Sequence, residues 1–301
     1  MKKILMLICS VVLCFVASAQ VCYKVSGNGL AEPSYLFGTH HLSPLKIYND
    51  NDKAVAAFAA SKQVVGEIDM TVNQMVMAME MQKHMIAPQD STLSKVLTAE
   101  EFAAAKKFFE QYSPQPGLTL EMMDPLKPSA VMQTLAVSLI MKNMPEFNPA
   151  EQLDTYFQVQ GKKDGKKILG LETIEFQADM LYNMHSIRKQ AEQLMEMVND
   201  PQKAIDEANE LNKAYFAQDM QKMYEFSIEC ESDPVFFEKL LLNRNNDWIT
   251  KLPTIIIPLL WSLNQMLKAM SPLRLNINTK KYWTPLRRII LPITPLKKFA
   301  L

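Results

Sequence analysis

Ser34-Tyr35-Leu36-Phe37-Gly38-Thr39-His40-His41-Leu42 is the stretch around which the chain is organised. Its aromatic and aliphatic run reads as a buried strand that ends at one glycine, followed by two histidines. The chain has four histidines in all, so His40 and His41 are half of its imidazoles. Gly38 can turn where a residue with a Cβ resists, which puts both imidazoles at a strand end. Open α/β sheets place ligands and chemistry there, and imidazole both ligates metals and titrates near neutral pH. The pair equally suits an ordinary loop whose rings bond backbone carbonyls, and at this point both readings stand.

Outward from that stretch, Cys22-Tyr23-Lys24-Val25 reads as a preceding strand. The turn Ser26-Gly27-Asn28-Gly29 makes the two a β-hairpin with a slightly long loop. Asp50 to Lys62 has the alanine-rich composition of a helix. Gln63-Val64-Val65-Gly66-Glu67-Ile68-Asp69 reads as a third strand, with Glu67 and Asp69 on one face. A carboxylate at a strand end beside histidines suits a metal or general-base role, and Asp69 fits a polar rim better than Glu67 does. Lys166-Lys167-Ile168-Leu169-Gly170-Leu171-Glu172-Thr173 reads as another strand, ending in Glu172, with Thr173 capping the next helix and Gln177 one turn inside it. Two strands ending in a glutamate and one ending in His-His indicate a composite site.

Helices are expected from Thr71 to His84, Thr98 to Tyr112 with Thr98 as cap, Pro128 to Asn143, and Glu151 to Gln160. Ile174 to Asp247 is expected to form about three, broken near Asp200-Pro201 and Asp233-Pro234. The methionines of 71–84 read as core or a soft groove wall rather than as metal ligands. His84 reads as a surface residue and His185 as structural.

Met1 to Gln20 reads as an export signal: Lys2 and Lys3, an apolar run from Ile4 to Val16, and Ala17-Ser18-Ala19 at the cleavage positions. The expected organisation is a signal over 1–19, one α/β (α+β) domain over 20–253, and an atypical basic, proline-rich segment over 254–301. Cleavage leaves Cys22 and Cys230, which an oxidising cell envelope or periplasm would allow to pair. The chain is neutral overall, but nine of its 32 basic residues lie from Lys251 onward and no acid follows Asp247. The body before Lys251 is therefore acidic, which argues against nucleic acid as a partner.

The blocks Tyr35-Leu36-Phe37-Gly38-Thr39-His40-His41-Leu42, Val65-Gly66-Glu67-Ile68-Asp69, Gly170-Leu171-Glu172-Thr173 with Gln177, and Arg244-Asn245 with Trp248 together resemble the TraB/GumN family, which includes the Tiki proteases. The resemblance implies a central mixed sheet flanked by many helices, similar to erythromycin-esterase-like and ChaN-like proteins. It implies a metal-dependent peptidase acting on a peptide or protein substrate, with manganese or cobalt favoured. It assigns His41, by its Gly-x-x-His pattern with Gly38, to the metal, with His40 beside it. Glu67 becomes the strand-end acid at that metal and Arg244 the group that stabilises charge developing on the substrate carbonyl, and Glu172, the carboxylate at the other strand end, reads beside them as a second catalytic acid.

The chain departs from the family pattern in one respect. A second Gly-x-x-His is expected after the Arg-Asn block, but the last glycine is Gly170 and the last histidine His185. The residues from about Thr254 onward read as a frame-shifted or otherwise replaced end, or as an apolar and basic segment making peripheral membrane contact. A non-catalytic peptide-binding or regulatory member of the family is the alternative to the peptidase. N-terminal sequencing of the protein recovered from its native envelope is expected to begin at Gln20; material retaining Met1 would overturn the export reading.

Overall fold

The computed structural model describes residues 21–26, 32–230 and 233–256. The expected signal, most of the segment after 253 and the Cys230 side chain lie outside the described residues, so the Cys22–Cys230 pairing lies outside them too. The fold is mixed α/β, with short strands among many helices. Among the described residues no helix is long and apolar enough to cross a membrane.

The strands form two short sheets. β1 (Cys22–Val25) and β2 (Ser34–Phe37) are the expected antiparallel hairpin, with Cys22 opposite Phe37 and Val25 opposite Ser34. Gly38 does not turn the chain through the left-handed region; among the described glycines only Gly117 and Gly165 have positive φ. Instead its N–H donates to Val21 O at 2.7 Å and its carbonyl accepts from the Tyr215 hydroxyl at 2.7 Å, so it extends the hairpin by one step. The change of direction falls later, where Ser43 N–H closes a turn on His40 O.

β3 (Gln63–Gly66) and β4 (Lys167–Gly170) pair in parallel, with Gln63 opposite Lys167 and Gly66 opposite Gly170. Parallel strands need a crossover, and here the mostly helical chain from Glu67 to Lys166 supplies it. Two bonds carry the ladder past the strand ends: Leu171 N–H to Gly66 O at 3.0 Å and Glu172 N–H to Glu67 O at 2.7 Å. Glu67 and Glu172 are thereby set side by side. Close approach requires glycine at Gly170, where a Cβ would lie 2.7 Å from Asp69 N.

The longer helices are α1 (Asp52–Ala60), α2 (Gln74–Met85), α3 (Ala99–Tyr112), α4 (Pro128–Asn143), α5 (Leu153–Lys163), α6 (Ile174–Asn183), α7 (Ile187–Asn199), α8 (Pro201–Phe216), α9 (Met220–Cys230) and α10 (Arg244–Ile256). Their starts follow the chemistry of their caps. Thr98 and Glu101 form a reciprocal capping box on α3, Pro128 opens α4, and the Thr173 hydroxyl accepts from Phe176 N–H on α6. Asp200 caps α8, and Asp233 caps the turn that begins at Pro234.

The region from Ile174 is more segmented than its composition suggests. An unexpected break separates α8 from α9 at Gln218, which adopts φ 55° where glycine usually sits. Pro253 lies inside α10, which continues to Ile256 rather than stopping at the expected boundary.

The two largest cores among the described residues hold the layers together. One joins α3, α4, α7 and the start of α8 through Phe108, Phe109, Leu135, Leu139 and Leu194. The other packs α1, α5 and α8 against the hairpin through Tyr48, Leu153, Leu211 and Tyr215. Phe37, Tyr48, Phe58 and Phe157 meet there in mostly edge-to-face pairs. α5 also braces the chain beyond β3, where Gln158 accepts from Met70 N–H at 2.8 Å and donates to Ile68 O at 3.0 Å.

Candidate functional site

A six-residue π-helical stretch, Glu238–Asn243, runs into α10 and delivers Arg244 to the ends of β3 and β4. π turns are uncommon and gather at functional sites because the extra residue rotates the helix face. Arg244 is 2% exposed. Its Nε donates to Glu172 Oε1 at 2.6 Å, and its Nη2 donates to Glu172 Oε2 at 2.5 Å and to Glu67 Oε2 at 2.8 Å. Gln177 donates to Glu67 Oε2 at 2.8 Å and to Glu172 Oε2 at 3.0 Å. Trp248, one turn beyond Arg244, donates from its indole to Glu172 Oε1 at 2.9 Å, and its ring lies 4.8 Å from the guanidinium carbon.

The two glutamates are not equivalent. The Glu172 side chain is 2% exposed and each of its oxygens accepts two hydrogen bonds, which fills a carboxylate's capacity. Glu172 is an anchor that fixes Arg244. The Glu67 side chain is 28% exposed and faces the open rim. Burial opposes the charge on Arg244, but Glu67 and Glu172 outweigh it and raise its pKa. Arg244 Nη1 is buried without a hydrogen-bond partner. Asp69 stays out of this cluster, as a rim residue would. Its Oδ1 accepts from Thr71 N–H at 2.8 Å and from Thr71 Oγ1 at 2.7 Å.

The histidines separate. His41 Nδ1 lies 3.1 Å from Asp154 Oδ2, and Thr39 Oγ1 donates to the other oxygen of Asp154 at 2.7 Å. Burial pushes the Asp154 carboxyl up, but His41 and Thr39 outweigh it and hold it below the usual carboxylate range. This is the arrangement of an imidazole oriented by a carboxylate. Asp154 was not singled out in the sequence; its only signal is an acid in the first turn of α5. His40 is fully buried, edge-on to Tyr215 at 5.3 Å, and neither ring nitrogen has a hydrogen-bond partner. Burial, then the neighbouring His41, lower its pKa from 6.5 to about 3, against smaller opposing effects of Asn212 and Asp154.

The structure thus brings Glu67, Glu172 and Arg244 together and adds Gln177 and Trp248. His40 faces the interior, and His41 is paired with Asp154. Among the described residues no three His, Cys, Asp or Glu side chains are grouped to hold a metal ion. Of those residue types, the rest of the sequence offers only Cys9, Cys14, Cys230 and Glu231. One imidazole with an orienting carboxylate fits a single metal ligand, and among the described residues a complete donor set is not assembled around it.

Two expectations follow from this geometry. Arg244→Met leaves Glu172 buried without its cation and should cost about 3–5 kcal/mol in denaturant unfolding, with partial recovery when Glu172→Gln is added. A loss below about 1 kcal/mol would show that the cluster does not hold the fold. For His40 the folded pKa is about 3 against 6.5 unfolded, so the unfolded chain binds the extra proton between these values. Its contribution is full above pH 6.5 and drains away as pH falls towards 3. Asp154, with its lowered pKa, adds a loss of the same sign at the acid end. His40→Phe should flatten the acid arm of a stability-against-pH profile, and an unchanged profile would contradict the burial of a neutral ring.

A family model described as the TraB/PrgY/gumN family matches residues 21–257, from one residue before β1 to one residue past α10. No curated protein and no solved structure matches the chain. The match spans the hairpin, both glutamate-bearing strand ends and the arginine helix, so this chain belongs to the TraB/PrgY/gumN family.

Proposed function

We propose that this chain is an exported, peptide-binding member of its family, and that it does not hydrolyse peptides on its own. The peptide part rests on what the family resemblance implies, and the export part on the signal-like first 19 residues. The observation that carries the non-catalytic part is the state of the acid pair. Glu172 is saturated by Arg244, Gln177 and Trp248, and Glu67 shares the same guanidinium. A metal would have to displace these bonds, and the chain has no second Gly-x-x-His to repay the loss. Arg244 then holds the acid pair in place, and the partly exposed Glu67 is the charged group left at the rim to meet a peptide.

A second reading, a metal-dependent peptidase using manganese or cobalt, is favoured by the His41–Asp154 pair, which orients one imidazole as metal ligands usually are. The chemistry that such an ion supplies is polarisation of a carbonyl and activation of water. The deciding experiment purifies the mature protein, measures its metal content by mass spectrometry and incubates it with a mixed peptide pool, with and without added Mn²⁺ or Co²⁺. The expected result is well below about one metal equivalent per chain, with no cleavage above buffer. Stoichiometric metal together with cleavage abolished by His41→Ala would establish the peptidase instead.

A further inference from the structure

α2 buries none of its residues fully. Met77, Met81 and Met85 are half-buried on the side that packs against α6, and His84 meets Asn183 at the far end of both helices. Its outer side carries Met75, Val76 and Met79, exposed by 72%, 60% and 58%, with Val72 exposed just before the Asn73 cap. The methionine run is therefore only partly the core or groove wall that its composition suggests. An apolar stripe two turns long is open to solvent, and then gives way to Gln82 and Lys83.

Position makes the stripe informative. It occupies the half of α2 nearest the site: Glu67 precedes Val72 by five residues, and Thr71 O is tied to Lys162 Nζ at 3.1 Å. The neighbouring helix α6 begins beside Glu172 and presents exposed Phe176 one residue before Gln177. Carboxylates dominate this end of the molecule. Glu67, Asp69, Glu172, Glu175 and Asp247 stand there against Arg244, Lys162 and Lys251, whose ammonium donates to the Leu171 carbonyl at 2.8 Å. An exposed apolar strip beside an acidic rim selects a partner that is apolar on one face and cationic at its edges. Methionine suits such a surface because its unbranched thioether adapts to different side chains.

We propose that the Met75–Val76–Met79 stripe, extended by Val72 and Phe176, docks a peptide segment with apolar side chains at helical spacing and flanking Lys or Arg. This rests on the peptide-binding reading above and names the class of peptide. A two-turn contact covers about 10 Å of helix, so the segment lies along α2 and its end reaches the Glu67 rim.

The test uses the full-length mature protein and a fluorescein-labelled Leu/Lys amphipathic peptide of about four turns, with its Leu/Glu counterpart as control. Anisotropy is expected to report binding of the Leu/Lys peptide, weakened by salt and absent for the Leu/Glu peptide. Met75→Gln with Met79→Gln keeps size and helix propensity but removes the apolar surface, and should weaken binding about tenfold or more. Met75→Leu with Met79→Leu should retain it. Circular dichroism of both double variants should match the parent.

Equal affinity in the Gln variant overturns the proposal. So does a stripe-dependent signal seen only with phosphatidylglycerol-containing vesicles, or only as self-association in sedimentation. Cleavage of the bound peptide, detected by mass spectrometry, would overturn the non-catalytic reading while leaving the docking surface in place, so the two can fail separately.

Discussion

The buried guanidinium of Arg244 is the constraint on which the site depends. Two carboxylates face it, one of them saturated and dry, the other reaching solvent. Taking these charges out of water is costly unless geometry and hydrogen bonds are nearly complete. Completeness here draws on three separate parts of the chain. The parallel register of β3 and β4 aligns the two glutamates, α6 supplies Gln177, and the π turn before α10 rotates both Arg244 and Trp248 onto Glu172. Losing the register by one residue would turn a glutamate to the other face of the strand. The parallel pairing is accordingly tied to the site as well as to the core.

The cluster carries one more negative charge than positive, and the excess is placed where water can solvate it, on Glu67. This asymmetry separates a structural acid from an accessible one. The imidazole side is built by the same division. His41 stays near the surface on an ionised Asp154, while His40 is folded inward beside Tyr215, whose hydroxyl is bonded to the Gly38 carbonyl. Adjacent residues of identical type thus meet opposite dielectric environments.

A site can owe its residues to what they hold together as well as to what they react with. The acid–arginine cluster stabilises the junction between the strands and α10, so its residues have a reason to remain whether or not a metal binds. The exposed stripe on α2 has no such structural reason. Isolated exposed apolar residues are ordinary, but several on one helix face beside an acidic rim are not.

Local chemistry was legible in the sequence. Both strands of the hairpin, both glutamate-bearing strands, the Thr98 and Thr173 caps and the start at Pro128 follow from residue type and spacing, because each depends on neighbours a few positions away. Glu67, Glu172 and Arg244 were grouped as candidate site residues from the strand ends and the family pattern, whereas their bonding and the arrival of Gln177 and Trp248 beside them were not foreseen. Three features needed the tertiary structure. Asp154 reaches His41 across more than a hundred residues, and its place in the first turn of α5 says nothing of that partner. Gln218 takes a left-handed turn normally signalled by glycine. The methionines of α2 have a periodicity equally suited to core or surface, and only the packing of α6 on one side decided which were covered. Spacing along a chain sets which side chains share a face, whereas the environment each face meets depends on what the rest of the chain places against it.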